Sequence, residues 1–437
     1  MIRLFDGRRR RLPAMVAACT AVATAAHGAD PAAPLTLDAA VHQALAWHPA
    51  IPQSVASFNA AGEAVTVARA GYLPRIGAGI GSGYDNRLGA DWRPRPQVSG
   101  SQMLYDFGKT ASAVEAARAG TRIGQADVLI AVDGLIRDTA YAIVEAQRNA
   151  ALFAIATEQL ARIREISALV EKRFSKGATT QSDALQAQSR VAAAEATLAQ
   201  IEAERRRWAS NLAYLLGRPV PPTTIDPGVP DRLMRGCAGG RRDDDRIPAV
   251  MRAEAQRDQA AADLRRSRAN RLPTIALAGD ASADVTGPLS RRSAYSFGLS
   301  ITRDLIGGNA VGARVRGAEY ARDAADAAVR QARNDAEQRL AEARGQIASL
   351  ERLLITVTAR QTNMVETGKL YRLQYLDMGT RTLVDLLNAE QELQQARFDA
   401  VNTTHDLRRL AVDCLYYSGG ARDAFGLSGT AIGGVTL

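Results

Sequence analysis

Apolar positions recur in steps of three and four residues along segment 109–175, which is the spacing of one face of an α-helix. Segment 308–377 is predicted to form a second long helix. A helix of about 67 residues spans roughly 100 Å, more than the width of a compact domain. The pattern therefore predicts an elongated helical protein. The apolar residues of the first helix are Val128, Val132, Leu135, Ala142, Ala146, Phe153, Leu160, Ile163 and Val170.

Alternation with a period of two marks two pairs of β-strands ahead of these helices. Apolar residues take every second position of segment 295–301, and the strand before it is predicted to pair with it. Glycine takes every second position of segment 76–84, whose partner, predicted over 97–105, is weakly patterned. Loops are expected at Asn86–Pro96 and Thr286–Arg292. The apolar members of the best strand are Tyr295, Phe297, Leu299 and Ile301.

The chain repeats itself at an interval of about 200 residues, which indicates a duplication. Segment 177–185 recurs at 379–387, an offset of 202. Three further motifs share an offset of 199: Pro49-Ala50-Ile51 with Pro248-Ala249-Val250, Leu73-Pro74 with Leu272-Pro273, and Phe107-Gly108 with Ile306-Gly307.

Both copies of the repeat have the same predicted order of elements. A first helix, 51–71 or 249–271, ends before the Leu-Pro pair, because the residue before proline avoids the helical conformation. The strand pair and the long helix follow. A turn at Ser175–Thr180 or Asp377–Arg381 then reverses the chain into a returning helix of about 35 residues.

The sequence divides into five parts: a signal peptide at 1–29, a first repeat at 30–217, an insert at 218–247, a second repeat at 248–417 and a tail at 418–437. The insert holds five prolines before Asp231 and a charged run at 241–245. The three aspartates of that run could bind Ca²⁺, but the flanking arginines favour a solvated loop. The Gly-rich tail is expected to be flexible.

The first residues have the features of a secretory signal. A basic stretch at Arg8–Arg11 precedes an apolar stretch at Leu12–Ala26, and small residues follow at a cleavage position. Val16–Cys19 also fits a lipobox, so lipidation of Cys19 is the alternative to cleavage near residues 25–29. With either kind of signal, the protein is expected to be exported from the cytoplasm. No apolar run after residue 30 approaches the length of a transmembrane helix.

Proline and aromatic counts sharpen this picture. None of the 16 prolines lies between Pro96 and Pro219 or after Pro288, so two long blocks are free of a residue that breaks helix interiors. Aromatic residues make up only 5% of the chain, and alanine supplies much of its apolar fraction. Small apolar residues suit closely packed helices better than a thick core.

Charge and cysteine content exclude several function classes. The net charge of +9 (55 − 46) includes +4 from residues 1–29, and the remainder is too diffuse to indicate nucleic-acid binding. The three cysteines, Cys19, Cys237 and Cys414, show no metal or redox spacing. Cys237 and Cys414 could pair in an oxidising compartment, and two unrelated thiols are the favoured alternative.

Four amphipathic strands in an exported protein suggest a membrane β-barrel. In lipid every backbone polar group must be paired, so the sheet must close on itself. Four strands cannot do this, because single-chain barrels begin at about eight strands. If the strands lie in lipid, the chain must oligomerise, and the helices would continue the barrel as a tube across the periplasm.

Three motifs resemble TolC-type outer-membrane factors, over roughly residues 35–420. Segment 379–389 closely resembles the second periplasmic tip of that family. Leu104–Lys109 resembles its strand-to-helix junction, and Leu35–Ala40 followed by Pro49 resembles its mature start. The resemblance implies a mainly helical fold with membrane β structure: a homotrimer with a 12-stranded barrel continued by an α-helical periplasmic tunnel.

The resemblance also implies a function without catalysis or a cofactor. Such proteins are exit ducts of tripartite systems for type I protein secretion or small-molecule efflux. Their partners are a periplasmic adaptor and an inner-membrane ABC or proton-driven transporter, and they lie in the outer membrane of Gram-negative bacteria. The adaptor is expected to dock at the hairpin tips, on Gly177, Thr180, Gly379 and Thr382.

The resemblance places a periplasmic gate beside these tips. Arg381 is expected to contact Asp183, and three copies of Asp385 would form an acidic ring that attracts cations. Asn388 departs from the family pattern, because well-known members carry a second aspartate there. Block by cations should therefore be weaker. The gate residues are Ser182, Asp183, Arg381, Asp385 and Asn388.

The tip residues also have simpler explanations. Gly177 and Gly379 could be helix C-caps, since glycine tolerates the left-handed conformation. Asp183 and Asp385 could be helix N-terminal charges that interact with the helix dipole.

Two other function classes fit less well. An enzyme is disfavoured, because Gly77–Gly83 lacks the spacing of a nucleotide-binding loop and the three mature histidines, His42, His48 and His405, are scattered. A periplasmic adaptor-like coiled-coil protein is the alternative to the duct. Adaptors carry one hairpin between compact β-domains, whereas here two hairpins each follow a strand pair.

Overall fold

The computed structural model describes residues 34–83, 93–237, 244–283, 293–303 and 310–437. The signal peptide, the lipobox at Cys19 and most of the expected inter-strand loops lie outside the described residues. So do Tyr84, residues 241–243 of the charged run and the Ile306-Gly307 motif.

Three of the four main helices of the first repeat lie close to where the sequence predicts them, and α1 (Leu37–Trp47) is an additional helix that no pattern predicts. The predicted helices are α2 (Ala50–Arg69), α3 (Lys109–Ser175) and α4 (Gln181–Leu215). The 67 residues of α3 contain no proline, and the apolar positions named above from Val128 onward lie mostly on its buried side.

The second repeat has the same order of elements. A short helix of the insert, α5 (Asp231–Met234), precedes α6 (Pro248–Ala269), α7 (Ala310–Leu373) and α8 (Leu383–Ser418). The predicted end of the second long helix at 377 is wrong in detail. The α-helix ends at Leu373. Gln374–Met378 then form one π-helical turn just before the tip.

Four antiparallel strands form one sheet in chain order. They are β1 (Arg75–Gly83), β2 (Arg93–Tyr105), β3 (Thr274–Ala283) and β4 (Ser293–Thr302). The two strand pairs of the repeats are joined by pairing between β2 and β3. Beyond this sheet, β1 and β4 have no strand partner among the described residues.

The second strand begins earlier than its pattern predicts. It starts at Arg93, so the expectation of a loop over Asn86–Pro96 is wrong at its end. Pro94 and Pro96 pair with β1. Both precede Gln97, the first residue of β2 that pairs with β3. Proline has no N–H to donate, and these positions require none toward β3.

The register gives the sheet two different faces. Ile301 faces Ile275, Leu299 faces Leu277, and the same side continues through Val98. This apolar face is exposed: Phe297 retains 82% of its accessible surface. The opposite face carries small and polar residues, among them Ser99, Gln97 and Arg75. The apolar face carries Ile76, Ala78, Ile80, Val98, Ile275, Leu277, Tyr295, Phe297, Leu299 and Ile301.

The helices form a wall one helix thick. Helix α3 packs against α2 and α6 in its first part and against α4 and α8 toward the tips. Helix α7 packs against α6 and then α8. Two short helices therefore follow one another beside each long helix. None of the helices in the described ranges has a stretch that is both long and apolar enough to cross a bilayer.

The largest core lies halfway along the wall, where the short helices meet. It joins α1, the middle of α3, the end of α4 and the last residues of the chain. The prediction that the tail is flexible is wrong, because Phe425, Leu427 and Val435 are buried in this core. The tail forms α9 (Ala421–Ala424) and a hairpin of β5 (Ala431–Ile432) and β6 (Val435–Thr436).

Two cross-links fasten the chain around this core. Cys237 and Cys414 form a disulfide with Cα atoms 5.3 Å apart, which joins the insert to α8. The favoured alternative of two unrelated thiols is therefore wrong. Sequence could not show this, because 177 residues separate the cysteines.

The second cross-link is an ion pair between Asp133 of α3 and Arg422 of α9. The two residues are 1% and 5% exposed, and Arg422 Nε lies 3.3 Å from Asp133 Oδ1. Neither carboxylate oxygen accepts a hydrogen bond within the described part of the chain. Burial raises the pKa of Asp133 from its ordinary 3.8 to about 7, although Arg422 and Arg246 oppose the shift.

We expect Asp133 to make the stability of the protein depend on pH. Its carboxyl group binds protons more tightly when folded, so the free energy of unfolding should fall as the pH rises from about 4 to about 7 and then level off. Asp133→Asn should remove much of this slope in thermal unfolding followed by circular dichroism. Asp138→Asn, on an exposed neighbour, should keep it; equal slopes in both variants would contradict the assignment.

Candidate functional site at the hairpin tips

Each helical hairpin reverses at a glycine in the left-handed conformation. Gly177 has φ +71° and Gly379 has φ +63°. At the first tip, the amide of Gly177 donates to Phe174 O at 2.8 Å, which satisfies a carbonyl group at the end of α3. Added side chains would be strained at both positions. The explanation of both glycines as helix caps is confirmed.

Both returning helices begin with the same capping box. Thr180 Oγ1 accepts from the amide of Asp183 at 3.2 Å, and the amide of Thr180 donates back to Asp183 Oδ2 at 3.3 Å. Thr382 and Asp385 repeat this exchange at 3.2 Å in each direction. A threonine and an acidic residue at this spacing satisfy two free amides at once. The structure therefore confirms the explanation of both aspartates as helix N-terminal residues.

Both tip aspartates remain ionised and accessible. Hydrogen bonds from Thr179 and Thr180 lower the pKa of Asp183. Hydrogen bonds from Thr382 likewise lower the pKa of Asp385. Ser182 adds no charge, and its hydroxyl lies 2.7 Å from Thr180 Oγ1. Each returning helix thus presents one carboxylate in its first turn.

Arg381 folds back on its own hairpin. Its guanidinium lies 4.5 Å above the ring of Tyr371, Nε donates to Gln374 at 3.3 Å, and Nη1 is 4.0 Å from Asp385. The expected contact between Arg381 and Asp183 is wrong within the chain. Asp183 instead accepts from the neighbouring threonines of its own turn.

Arg190 and Arg173 are among the arginines that join the two hairpins, and neither is a predicted site residue. Arg190 of α4 donates to Asn388 Oδ1 at 3.3 Å and to Gln391, both on α8. Arg173 of α3 donates to Tyr375 O at 3.4 Å and lies 4.9 Å above its ring. Arg190 follows Asp183 by seven residues, two helical turns, so its spacing places it on the tip face. Single arginines in exposed helices are otherwise too common to be informative.

An apolar cluster lies beneath these polar contacts. It draws side chains from α3, α4, α8 and the π-helical turn, so the two tips are packed on each other. Its buried members are Ile163, Ile166, Val170, Ala184, Ala187, Tyr375, Leu383, Leu386 and Leu387.

A buried carboxylate lies close behind the cluster. Glu390 is 6% exposed, and its nearest cation is Arg162, at 3.8 Å. Burial raises the pKa of Glu390 despite nearby arginines. Arg397 of the same helix reaches Glu158 of α3 at 2.7 Å. The tips are therefore held by apolar packing, with polar and ionic contacts around it.

Comparison with known proteins identifies this architecture. The family model described as "Outer membrane efflux protein" matches residues 40–218 and 245–413. The chain is 23% identical to nodulation protein T of Rhizobium leguminosarum bv. trifolii over 400 residues, which cover 85% of this chain and 82% of that protein. It is 29% identical to protein CyaE of Bordetella pertussis over 315 residues, 68% and 66% of the two chains.

Solved structures share the fold. The outer membrane protein VceC of Vibrio cholerae superposes with a TM-score of 0.77 at 20% identity, covering 88% of this chain and 96% of that one. The Campylobacter jejuni CmeC outer membrane channel gives 0.76 at 15% identity, covering 88% and 86%.

We expect Arg190 to restrain the two tips. Arg190→Ala removes both side-chain bonds between α4 and α8 and should speed amide hydrogen exchange over 374–390. Arg206→Ala is the matched control, since Arg206 bonds to Glu202 of its own helix. Equal exchange in the wild type and Arg190→Ala would show that Arg190 does not restrain the tips.

Proposed function

The chain belongs to the outer membrane efflux protein family, and we propose from this premise how its sheet and hairpins assemble and work. It is an outer-membrane exit duct of a tripartite export system and extends into the periplasm. The family implies a trimer that works with an adaptor and an inner-membrane transporter. We propose that three four-stranded sheets close into one 12-stranded barrel and that the helical walls continue it as a tunnel.

One observation carries the proposed assembly: a sheet with two open edges and an exposed apolar face. Strands β1 and β4 each leave a row of backbone N–H and C=O groups without a strand partner among the described residues. Tyr295, Phe297 and Ile301 stand out from the apolar face. In lipid that face would be stable only if both edges were paired. Pairing β1 of one copy with β4 of the next satisfies both edges and keeps the antiparallel order.

The hairpin tips serve as gate and docking site in this proposal. The tip turns at Gly177, Thr180, Gly379 and Thr382 receive the adaptor, because they are the part of the wall farthest from the sheet. Asp385, repeated by the trimer, supplies an acidic ring at the mouth. Asn388 adds no charge to the ring, and the bound Arg190 reduces its negative potential. Ser182, Asp183 and Arg381 complete the polar rim.

The remaining functional assignments follow from the same architecture. We propose that the protein has no catalytic role, since Gly77–Gly83 lies in strand β1 and forms no phosphate-binding loop. The first residues act as its signal peptide. Its cargo is a protein of the type I secretion class or a small molecule.

We expect the purified protein to be a trimer in detergent. Light scattering with correction for bound detergent should give three times the chain mass of 46.6 kDa, less the signal peptide. The protein should be recovered with outer membranes after cell fractionation. A monomer of unchanged helix content would contradict closure by three sheets.

We expect Asp385 to set the sensitivity of the duct to divalent cations. Asp385→Ala should reduce block by Mg²⁺ of conductance in planar bilayers, because it removes three carboxylates from the mouth. Asn388→Asp should strengthen block by adding three. Asp377→Asn, on the neighbouring turn, is the control. If Mg²⁺ blocks the conductance of Asp385→Ala and Asn388→Asp as it blocks that of the wild type, Asp385 does not form the cation-binding ring.

A further inference from the structure

A polar cavity of about 300 Å³ lies where the strands meet the long helix α3. Its walls come from the start of β1, the end of β2, the start of β3 and the first turn of α3. The residues that matter here are Arg75, Ser101, Met103, Asp106, Lys109 and Thr274.

The register places this cavity on the polar face of the sheet. Arg75 pairs with Ser101, one position away from the apolar pair of Ile76 and Gly100. Met103 pairs with Ala276, one position from the Ile275 that belongs to the apolar face. The cavity thus opens on the side opposite Phe297 and Ile301. If the sheet closes with its apolar face in lipid, the cavity opens into the channel.

Two cations line the cavity, and neither makes an ion pair within the described part of the chain. Lys109 Nζ donates to Thr274 Oγ1 at 2.7 Å, which fixes the ammonium group at the cavity wall. Arg75 is exposed at the start of its strand. Both side chains therefore carry a positive charge whose field is not cancelled by a paired carboxylate.

Among the described residues that line the cavity, Asp106 supplies the carboxylate, and it is already engaged. It is 7% exposed, and its two oxygens accept from the amides of Gly108 at 3.0 Å and Thr110 at 2.6 Å. Burial would raise the pKa of Asp106, but these hydrogen bonds outweigh it and lower the pKa. Its charge is therefore directed at the first amides of α3. Farther along the same face, Asp280 bonds to Ser296.

We propose that Arg75 and Lys109 form a cationic collar that binds small anions and favours the passage of anionic solutes at the base of the barrel. Two cations per copy give six around a threefold channel. Carboxylates, phosphates and sulfonates are the groups that such a collar would attract. The proposal rests on the proposed trimer, and it gives the duct a second charge filter, opposite in sign to the Asp385 ring at the mouth.

The test is ion selectivity in planar bilayers across a KCl gradient. The double variant Arg75→Gln/Lys109→Gln should lower the Cl⁻/K⁺ permeability ratio about twofold or more at 0.1 M salt. The shift should shrink near 1 M salt, where the screening length falls to about 3 Å. Arg75→Lys/Lys109→Arg keeps both charges and should behave as the wild type.

The outcomes separate this proposal from the assembly on which it rests. Channels whose selectivity is the same in the wild type and the glutamine variant would overturn the collar and leave the trimer intact. Loss of selectivity in the charge-conserving variant as well would assign the effect to packing and overturn the collar too. Absence of any trimer or channel in the wild type would contradict the proposed assembly itself.

Discussion

The pairing of backbone hydrogen bonds at the edges of one four-stranded sheet is the constraint on which the rest of the structure depends. Within the described part of the chain, the sheet has an exposed apolar face and two outer strands whose free edges have no strand partner. In water such a sheet would aggregate through its edges. In lipid each backbone N–H or C=O group without a hydrogen bond would raise the free energy by several kcal/mol. Closure with further copies resolves both problems. The duplication makes this closure possible, because each repeat contributes one antiparallel pair of strands.

The helical wall follows from where the strands end. Gly108, with φ +90°, turns the chain out of the sheet, and α3 starts within a few residues of β2. A wall one helix thick has little interior, which is why alanine and valine suffice for most of it. Stability is concentrated instead at two levels: the core that holds the C-terminal tail, and the apolar cluster beneath the tips. The disulfide fastens the first level, and Asp133 and Arg422 form a buried ion pair across it.

The sequence predicts regular elements well and long-range contacts poorly. The absence of proline and the steady apolar spacing predict both ends of α3 correctly. Each tip is marked by a glycine followed by a threonine that has an aspartate three residues after it. The π-helical turn at Gln374–Met378 leaves no comparable trace, since its residues are ordinary helix formers. The glycines of the tail suggest flexibility, whereas the structure buries Phe425 and Val435. The contacts of Arg190 leave no pattern in the sequence, because its partners lie about 200 residues away.

The proposed barrel depends on edge pairing between β1 and β4 of different copies, and disulfide trapping tests this pairing directly. Single cysteines would be placed along β1 at Ile76, Ala78 or Ile80 and along β4 at Phe297, Leu299 or Ile301, one on each strand. Edge pairing should give dimers and covalently closed trimers on non-reducing gels for cysteine pairs in register, and no cross-linked species for pairs out of register. Monomers for every pair, from protein recovered in the outer membrane, would contradict it.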